Sequence, residues 1–179
     1  MVITDKVLEV RQASLHDKTK IFNLYSKVSE TEGGIARNQA EITEDWVLNC
    51  LLKSLANGVM LVVQHPEKDE LIAEIHTYPN GLQIFNHVFG DLTVGVHPDF
   101  QGSGIGRLIF EHLLEEVKTK YPEILRVELI VRESNIRAIN FYEKIGFVKE
   151  GRMEKRIYGI GGDLEADIPM AWFNPNYKK

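Results

Sequence analysis

One stretch constrains this chain more than any other. Residues 92–107, LTVGVHPDFQGSGIGR, form a strand that stops at Pro98 and re-enters a helix through a run of glycines. Gly102, Gly104 and Gly106 carry no Cβ, so the backbone there can come close to a ligand, and the first N–H groups of a following helix all point one way. An anion fits such a place. Two familiar phosphate loops do not match it. A G-x-G-x-x-G fingerprint starting at Gly102 needs glycine where the chain has Arg107, and no G-x-x-x-x-G-K-[ST] is present. Taken alone, the glycine run is equally compatible with a turn that only permits tight strand-to-helix packing.

Periodicity organises the rest. Residues 7–13 alternate and read as a short first strand. Residues 15–29 place Leu15, Ile21, Leu24, Tyr25 and Val28 near one side of an amphipathic helix. Residues 31–43, with Gly33, Gly34 and Asn38, have no sustained period and read as a loop. Glu44–Ala56 predicts a second helix carrying Trp46, Val47, Cys50, Leu51 and Leu55, with Gly58 as its stop. Val59–Gln64, Leu71–Thr77 and Phe85–Val96 then read as an antiparallel meander with turns at Pro66–Glu70 and Pro79–Leu82. Ile105–Lys120 is predicted helical with Ile105, Leu108, Ile109, Leu113 and Val117 inward. Val127–Val131 follows as a buried strand and Asn135–Ile145 as a further helix. The C-terminal part, Phe147–Tyr158 and Ala166–Phe173, returns to strand character around a turn at residues 159–163.

Charge and composition exclude several classes. With 179 residues, 44% of them apolar, the chain has enough material for one domain over residues 1–179 with its own core. Its 21 Lys and Arg against 26 Asp and Glu leave a net charge of −5, which repels a polyphosphate backbone, so no nucleic-acid partner is expected. The longest apolar run, Val59–Val63, falls far short of the ~20 residues that cross a bilayer, so no membrane partner is expected either. Residues 1–10 lack the cationic and apolar segments of a secretory signal, and a lone cysteine, Cys50, forms no internal disulfide; both point to the cytoplasm. His16, His65, His76, His87, His97 and His112 show no metal-ligand spacing, and no metal is expected. His97, beside Pro98, reads as shaping the start of the glycine loop.

A second motif gives the glycine run its meaning. In residues 135–147, NIRAINFYEKIGF, Asn135 can cap a helix, Ala138 leaves room on the inner face, Tyr142 lies further along nearly that same face, and Gly146 ends the helix. The two segments together resemble the GNAT superfamily of N-acetyltransferases. Its first signature is matched by Gln101, Gly104 and Gly106, and its second by Asn135, Ala138, Phe141, Tyr142, Gly146 and Phe147. The order of elements agrees over nearly the whole chain. The resemblance implies an α/β (α+β) fold: a mixed, mostly antiparallel sheet of about seven strands, splayed at the cofactor strand and flanked by about four helices.

What the resemblance implies about chemistry can be placed residue by residue. Acetyl-CoA would be the cosubstrate, its diphosphate held by Gln101, Gly102, Ser103, Gly104, Ile105, Gly106 and Arg107. Its pantetheine arm would run along the backbone of Val94, Gly95 and Val96 and bond Asn135. Tyr142, with an ordinary pKa of about 10, would donate a proton to the departing thiolate. An alkylamine acceptor is an ammonium at neutral pH, so a carboxylate is needed to relieve it of a proton, and Glu74 and Asp91 are the candidates. Members that acetylate the N-terminal alanine of ribosomal proteins place a glutamate five residues before the asparagine; here that position is Ile130, with Glu128 two residues earlier. The net negative charge, Glu74, Asp91 and the acidic loop around Glu30, Glu32 and Glu41 favour a small cationic amine such as a polyamine as acceptor. A protein N-terminal or lysine acetyltransferase, and a sensor that binds acyl-CoA without turnover, stand as alternatives. A homodimer is left open.

Overall fold

The computed structural model describes residues 2–3, 6–31, 34–159 and 161–179, and of residues 2, 3, 6 and 7 the backbone only. Glu32 and Gly33 of the 31–43 loop and Ile160 of the 159–163 turn therefore lie outside the described residues. The chain groups into two compact units, one of residues 1–78 and 93–117, the other of residues 79–92 and 118–179.

The first unit opens with a small antiparallel pair, β1 (Val2–Ile3) and β2 (Lys6–Val7). Then come β3 (Val10–Gln12), α1 (Lys18–Ser29), α2 (Glu44–Asn57), β4 (Val59–Gln64), β5 (Leu71–Tyr78), the second half of β6 (Val88–Val96) and most of α3 (Ile105–Lys120). The strand predicted over 7–13 is thus shorter, and a 3-10 turn at Leu15–Asp17 precedes α1, leaving Leu15 55% exposed rather than inward. The turn exists because Asp17 accepts from the Ser14 N–H at 2.8 Å while Arg11 grips the same carboxylate at 2.7 and 2.8 Å. Thr43 caps α2 by accepting from the Trp46 N–H at 3.1 Å. Gly58 ends α2 for a steric reason: a Cβ there would sit 2.3 Å from the Thr77 carbonyl oxygen.

In β5 every residue is buried. Its register against β4 pairs Val62 with Glu74 and Met60 with His76, while Leu61 faces Ile75 and Val63 faces Ala73. Opposed residues share a face, so Glu74 and His76 lie on the side that carries Met60 and Val62. Those two residues pack into one cluster with Ile21, Leu24, Tyr25 and Val28 of α1 and Val47, Cys50 and Leu51 of α2. Each aliphatic side chain so buried contributes about 1.5–3 kcal/mol. In α3 the buried residues are Ile105, Ile109, Phe110, Leu113, Leu114 and Val117; Leu108, predicted inward, is only half-buried.

The second unit contains the first half of β6, then β7 (Arg126–Arg132), α4 (Ile136–Lys144), β8 (Val148–Lys149), β9 (Met153–Tyr158) and β10 (Leu164–Phe173). β10 lies between β7 and β8, and β9 pairs β10 as well. The strand predicted from Phe85 begins at Val88, because the Phe85 N–H bonds back to Leu82 at 2.9 Å and residues 83–85 coil into a 3-10 turn. β6 and β7 run parallel and pair at Val88–Arg126 and Phe89–Val127. Just beyond, Asp91 takes φ 49°, a left-handed conformation that interrupts the extended strand. Among the described residues the fold is a mixed, mostly antiparallel α/β architecture with four α-helices.

Candidate active site

The residues singled out by sequence fall into three groups. The first is the turn into α3. Gly102 and Gly104 have φ of 77° and 91°, so both occupy the left-handed region where a side chain is strained. The Leu108 N–H is the first to close on the helix, reaching Gly104 O at 3.0 Å. The N–H groups of Ile105, Gly106 and Arg107, in the first turn, have no intrahelical acceptor by geometry. A Cβ on Gly106 would meet nothing nearer than Val96 Cγ2 at 3.8 Å, so close backbone approach is open there. Ser103 turns inward on the loop, its N–H and hydroxyl both directed at Phe100 O. Gln101 Nε2 donates to Val96 O at 3.2 Å and ties the loop to the end of β6. Arg107 is engaged by Glu111 at 2.7 Å. His97 shapes the approach: its N–H reaches Ile72 O at 2.9 Å and its Nδ1 accepts from the Asp99 N–H at 3.3 Å. A helix of this length, whose leading amides have no intrahelical acceptor, favours an anion at its N-terminus.

The second group is α4. Asn135 Oδ1 accepts from the Ala138 N–H at 3.1 Å, and Gly146, with φ 99°, ends the helix so that Phe147 N–H returns to Tyr142 O at 2.9 Å. Tyr142 stands between the rings of Phe141 and Phe147, at 5.5 and 5.9 Å. Burial pushes its hydroxyl up to about 12, so it keeps its proton at neutral pH.

The third group is one that sequence reading only half foresaw. Glu74 is fully buried, and both its oxygens are engaged: Tyr25 donates its hydroxyl to Oε2, and His76 Nδ1 lies 2.9 Å from Oε1. Burial opposes the charge on His76, but Glu74 and Cys50 outweigh it and His76 rises to about 10. Burial, then Glu74, drive the Tyr25 hydroxyl well above 10. Glu74 and His76 therefore form a buried ion pair, with Tyr78 stacked on the imidazole at 5.8 Å. Tyr25 carries this cluster to the end of β6: a Cβ on Gly95 would come 3.0 Å from Tyr25 Cε1. Glu74 and His76 are recognisable in retrospect as alternate residues of one strand. Tyr25 read only as a core position. Asp91 is exposed. Glu128 lies 2.8 Å from Arg126, and Ile130, beside it, is 52% exposed. Among the described residues no group of three His, Cys, Asp or Glu stands together as a metal site, and no helix is long and apolar enough to cross a membrane.

Comparison with known proteins meets this geometry. The acetyltransferase (GNAT) family matches residues 20–147. A [ribosomal protein bS18]-alanine N-acetyltransferase of Salmonella typhimurium is 40% identical over 78 residues, covering 44% of this chain and 51% of the relative. A peptidyl-lysine N-acetyltransferase of Escherichia coli, YjaB, is 39% identical over 59 residues, 33% of this chain and 35% of that one. The chain thus aligns with about half the length, or less, of these relatives. In fold it is similar to yncA, a putative acetyltransferase from Salmonella typhimurium solved with its cofactor acetyl-CoA, at a TM-score of 0.81 and 17% identity over 97% of this chain and 98% of that one. With the glycine turn, the capped α4 and a family match spanning most of its length, the chain belongs to the acetyltransferase (GNAT) family.

Proposed function

We propose that the chain transfers an acetyl group from acetyl-CoA to a primary amine presented by a protein or peptide. The observation that carries the cosubstrate is the N-terminus of α3, preceded by two left-handed glycines and opened by amides that have no intrahelical acceptor. The amides of Gly102 to Arg107, with Gln101 and Ser103 shaping the loop, would hold the diphosphate. Val94, Gly95 and Val96 would offer backbone groups to the pantetheine arm. Asn135 would reach it through Nδ2, since Oδ1 caps α4. The bound cosubstrate supplies an acetyl group activated as a thioester. Tyr142 Oη holds its proton at neutral pH and serves as hydrogen-bond donor to a leaving sulfur, the role its raised pKa of about 12 suits better than full ionisation.

Of the two carboxylates expected to relieve the amine of its proton, Asp91 is exposed and Glu74 is enclosed by Tyr25 and His76. Asp91 is therefore the proposed base, and Glu74 acts by fixing Tyr25 beneath Gly95. The protein acceptor is favoured by the relatives, which act on a ribosomal protein's alanine and on peptidyl-lysine. A small cationic amine is the second reading, favoured by the net charge of −5.

Thiol release by the full chain with acetyl-CoA separates these readings. The acceptors are an alanine-initiated peptide, an N-terminally blocked lysine peptide and spermidine. Release with either peptide above spermidine supports the proposal. Release with spermidine alone moves the acceptor to the second reading, and tight CoA binding with no release on any acceptor overturns the transferase. Tyr142→Phe should lower kcat by at least about tenfold with CoA affinity retained.

A further inference from the structure

Asp167 on β10 is 5% exposed as a residue, and among the described residues no hydrogen bond or ion pair reaches its carboxylate, whose oxygens are not among the sealed atoms that lack a partner and so stay open to solvent. That sets it apart from the other buried carboxylates. Asp17 is held by Arg11 and Ser14, and Glu74 by Tyr25 and His76. A carboxylate whose stem is buried and whose oxygens meet no protein partner remains open to a cation arriving from solvent. The neighbouring Glu165 adds a sealed oxygen: its Oε1 is buried with no hydrogen-bond partner. A bulge in the β9–β10 register falls between these two residues.

Their place in the second unit bears on function. Asp167 is directly opposed to Arg132 at the end of β7, on the face that carries Ile130 and Pro169. Glu133 N–H bonds Ala166 O at 2.9 Å and Asn135 N–H bonds Arg132 O at 3.0 Å, so Asp167 stands at the strand end from which Asn135 starts α4. The neighbouring cations do not close on it. Arg152 is spent on Glu133 at 2.6 Å and on Glu154. Arg132 and Arg156 act on Asp167 only through space.

We propose that Asp167, backed by Glu165, is the docking point for the ammonium group of the amine acceptor, an inference that rests on the amine-acetyltransferase reading above. An alkylammonium supplies what the pair lacks, a compact cation with several N–H donors and an apolar stem that can lie along Ile130 and Pro169. Burial raises the Asp167 pKa, with Glu165 adding to the rise and Arg156 and Arg132 opposing it, which agrees with a carboxylate awaiting a positive partner.

The test is an NMR titration of the full chain with n-butylammonium, using n-butanol as uncharged control. The expected result is a shift of the Asp167 carboxyl carbon and of the Ile130 and Arg132 amides with the ammonium only. In Asp167→Asn the apparent affinity should fall at least about fivefold, in Glu165→Gln less, and Asp167→Glu should recover part of it. Equal response of wild type and Asp167→Asn, or of butanol and butylammonium, overturns the proposal. If Asp167→Asn does not fold, the wild type still decides: the ammonium must lower the titration midpoint of the Asp167 carboxyl carbon, and an unchanged midpoint refutes the assignment. A parallel titration with CoA follows the amides of residues 104–107. Loss of that response alone breaks the transferase reading, whereas loss of the ammonium response alone breaks this one.

Discussion

Glu74 and Asp167 are both buried acids on strands, one in each compact unit, and they are treated in opposite ways. Glu74 is surrounded by groups that satisfy it: a tyrosine hydroxyl on one oxygen and a charged imidazole on the other. Asp167 is also a buried residue, but its carboxylate oxygens stay open and no such shell surrounds them. The first arrangement spends the carboxylate on structure, since its charge is already matched and its partners hold Tyr25 against Gly95. The second leaves the charge for something that arrives from outside. Burial alone therefore does not mark a functional acid; what its oxygens are left to meet is the distinguishing feature.

The largest test of this contrast removes the satisfied acid. Glu74→Ala leaves the His76 imidazolium without its counter-ion and the Tyr25 hydroxyl without its acceptor, and should cost about 3–5 kcal/mol in a urea melt at pH 7. A loss below about 1 kcal/mol would mean that the pair contributes nothing net and that the contrast is empty. The same pair gives a pH signature. His76 is raised to about 10 from 6.5, so the stability it brings is complete below about pH 6.5 and drains away as pH rises toward 10. Replacing His76 by Gln should flatten that alkaline slope.

Next in size is Asp17, a buried acid paired at a helix start. The Arg11 hydrogen bonds lead the causes that bring its pKa down to about 2 from 3.8. Its contribution, about 2 kcal/mol, is present above about pH 4 and is lost as pH falls toward 2. In Asp17→Asn that acid limb should vanish from stability measured across pH 2–5; a limb that persists unchanged would assign it to other carboxylates.

Sequence carried the local patterns well and the pairings poorly. The glycines at 102 and 104, the Asn135 cap and the Gly146 stop are each written in single residues whose backbone conformation only those types adopt easily, and the structure places each as expected. Phe85 reads as the start of a strand that runs on to Val96, but Asn80 and Gly81 set a turn whose Leu82 N–H bonds Asn80 Oδ1 at 2.9 Å, and residues 83–85 continue it as a 3-10 turn. The Tyr25, Glu74 and His76 cluster was out of reach because Tyr25 is 49 residues from Glu74, and nothing local says which strand a helix will cover. Asp167 was invisible for the converse reason. Alternation places it in a strand, but the absence of a partner is a property of everything around it.

The smallest predicted effect on stability belongs to that residue, and its sign is the opposite of the other two. With its pKa raised, chiefly by burial, Asp167 favours the fold more when protonated than when ionised, so that contribution is complete below about pH 4 and is lost as pH climbs through the raised value. At pH 7 the ionised group is offset only through space, by Arg156 and Arg132. Asp167→Asn keeps the shape and removes the charge, and should leave the protein as stable as wild type or more so, by on the order of 1 kcal/mol. Below about pH 4 the difference should close, because wild type then carries a neutral side chain too. Thermal melts at pH 4 and pH 7 decide the matter. If Asp167→Asn is markedly destabilised at both, the carboxylate is held by the fold after all, and Asp167 joins Glu74 on the structural side of the comparison.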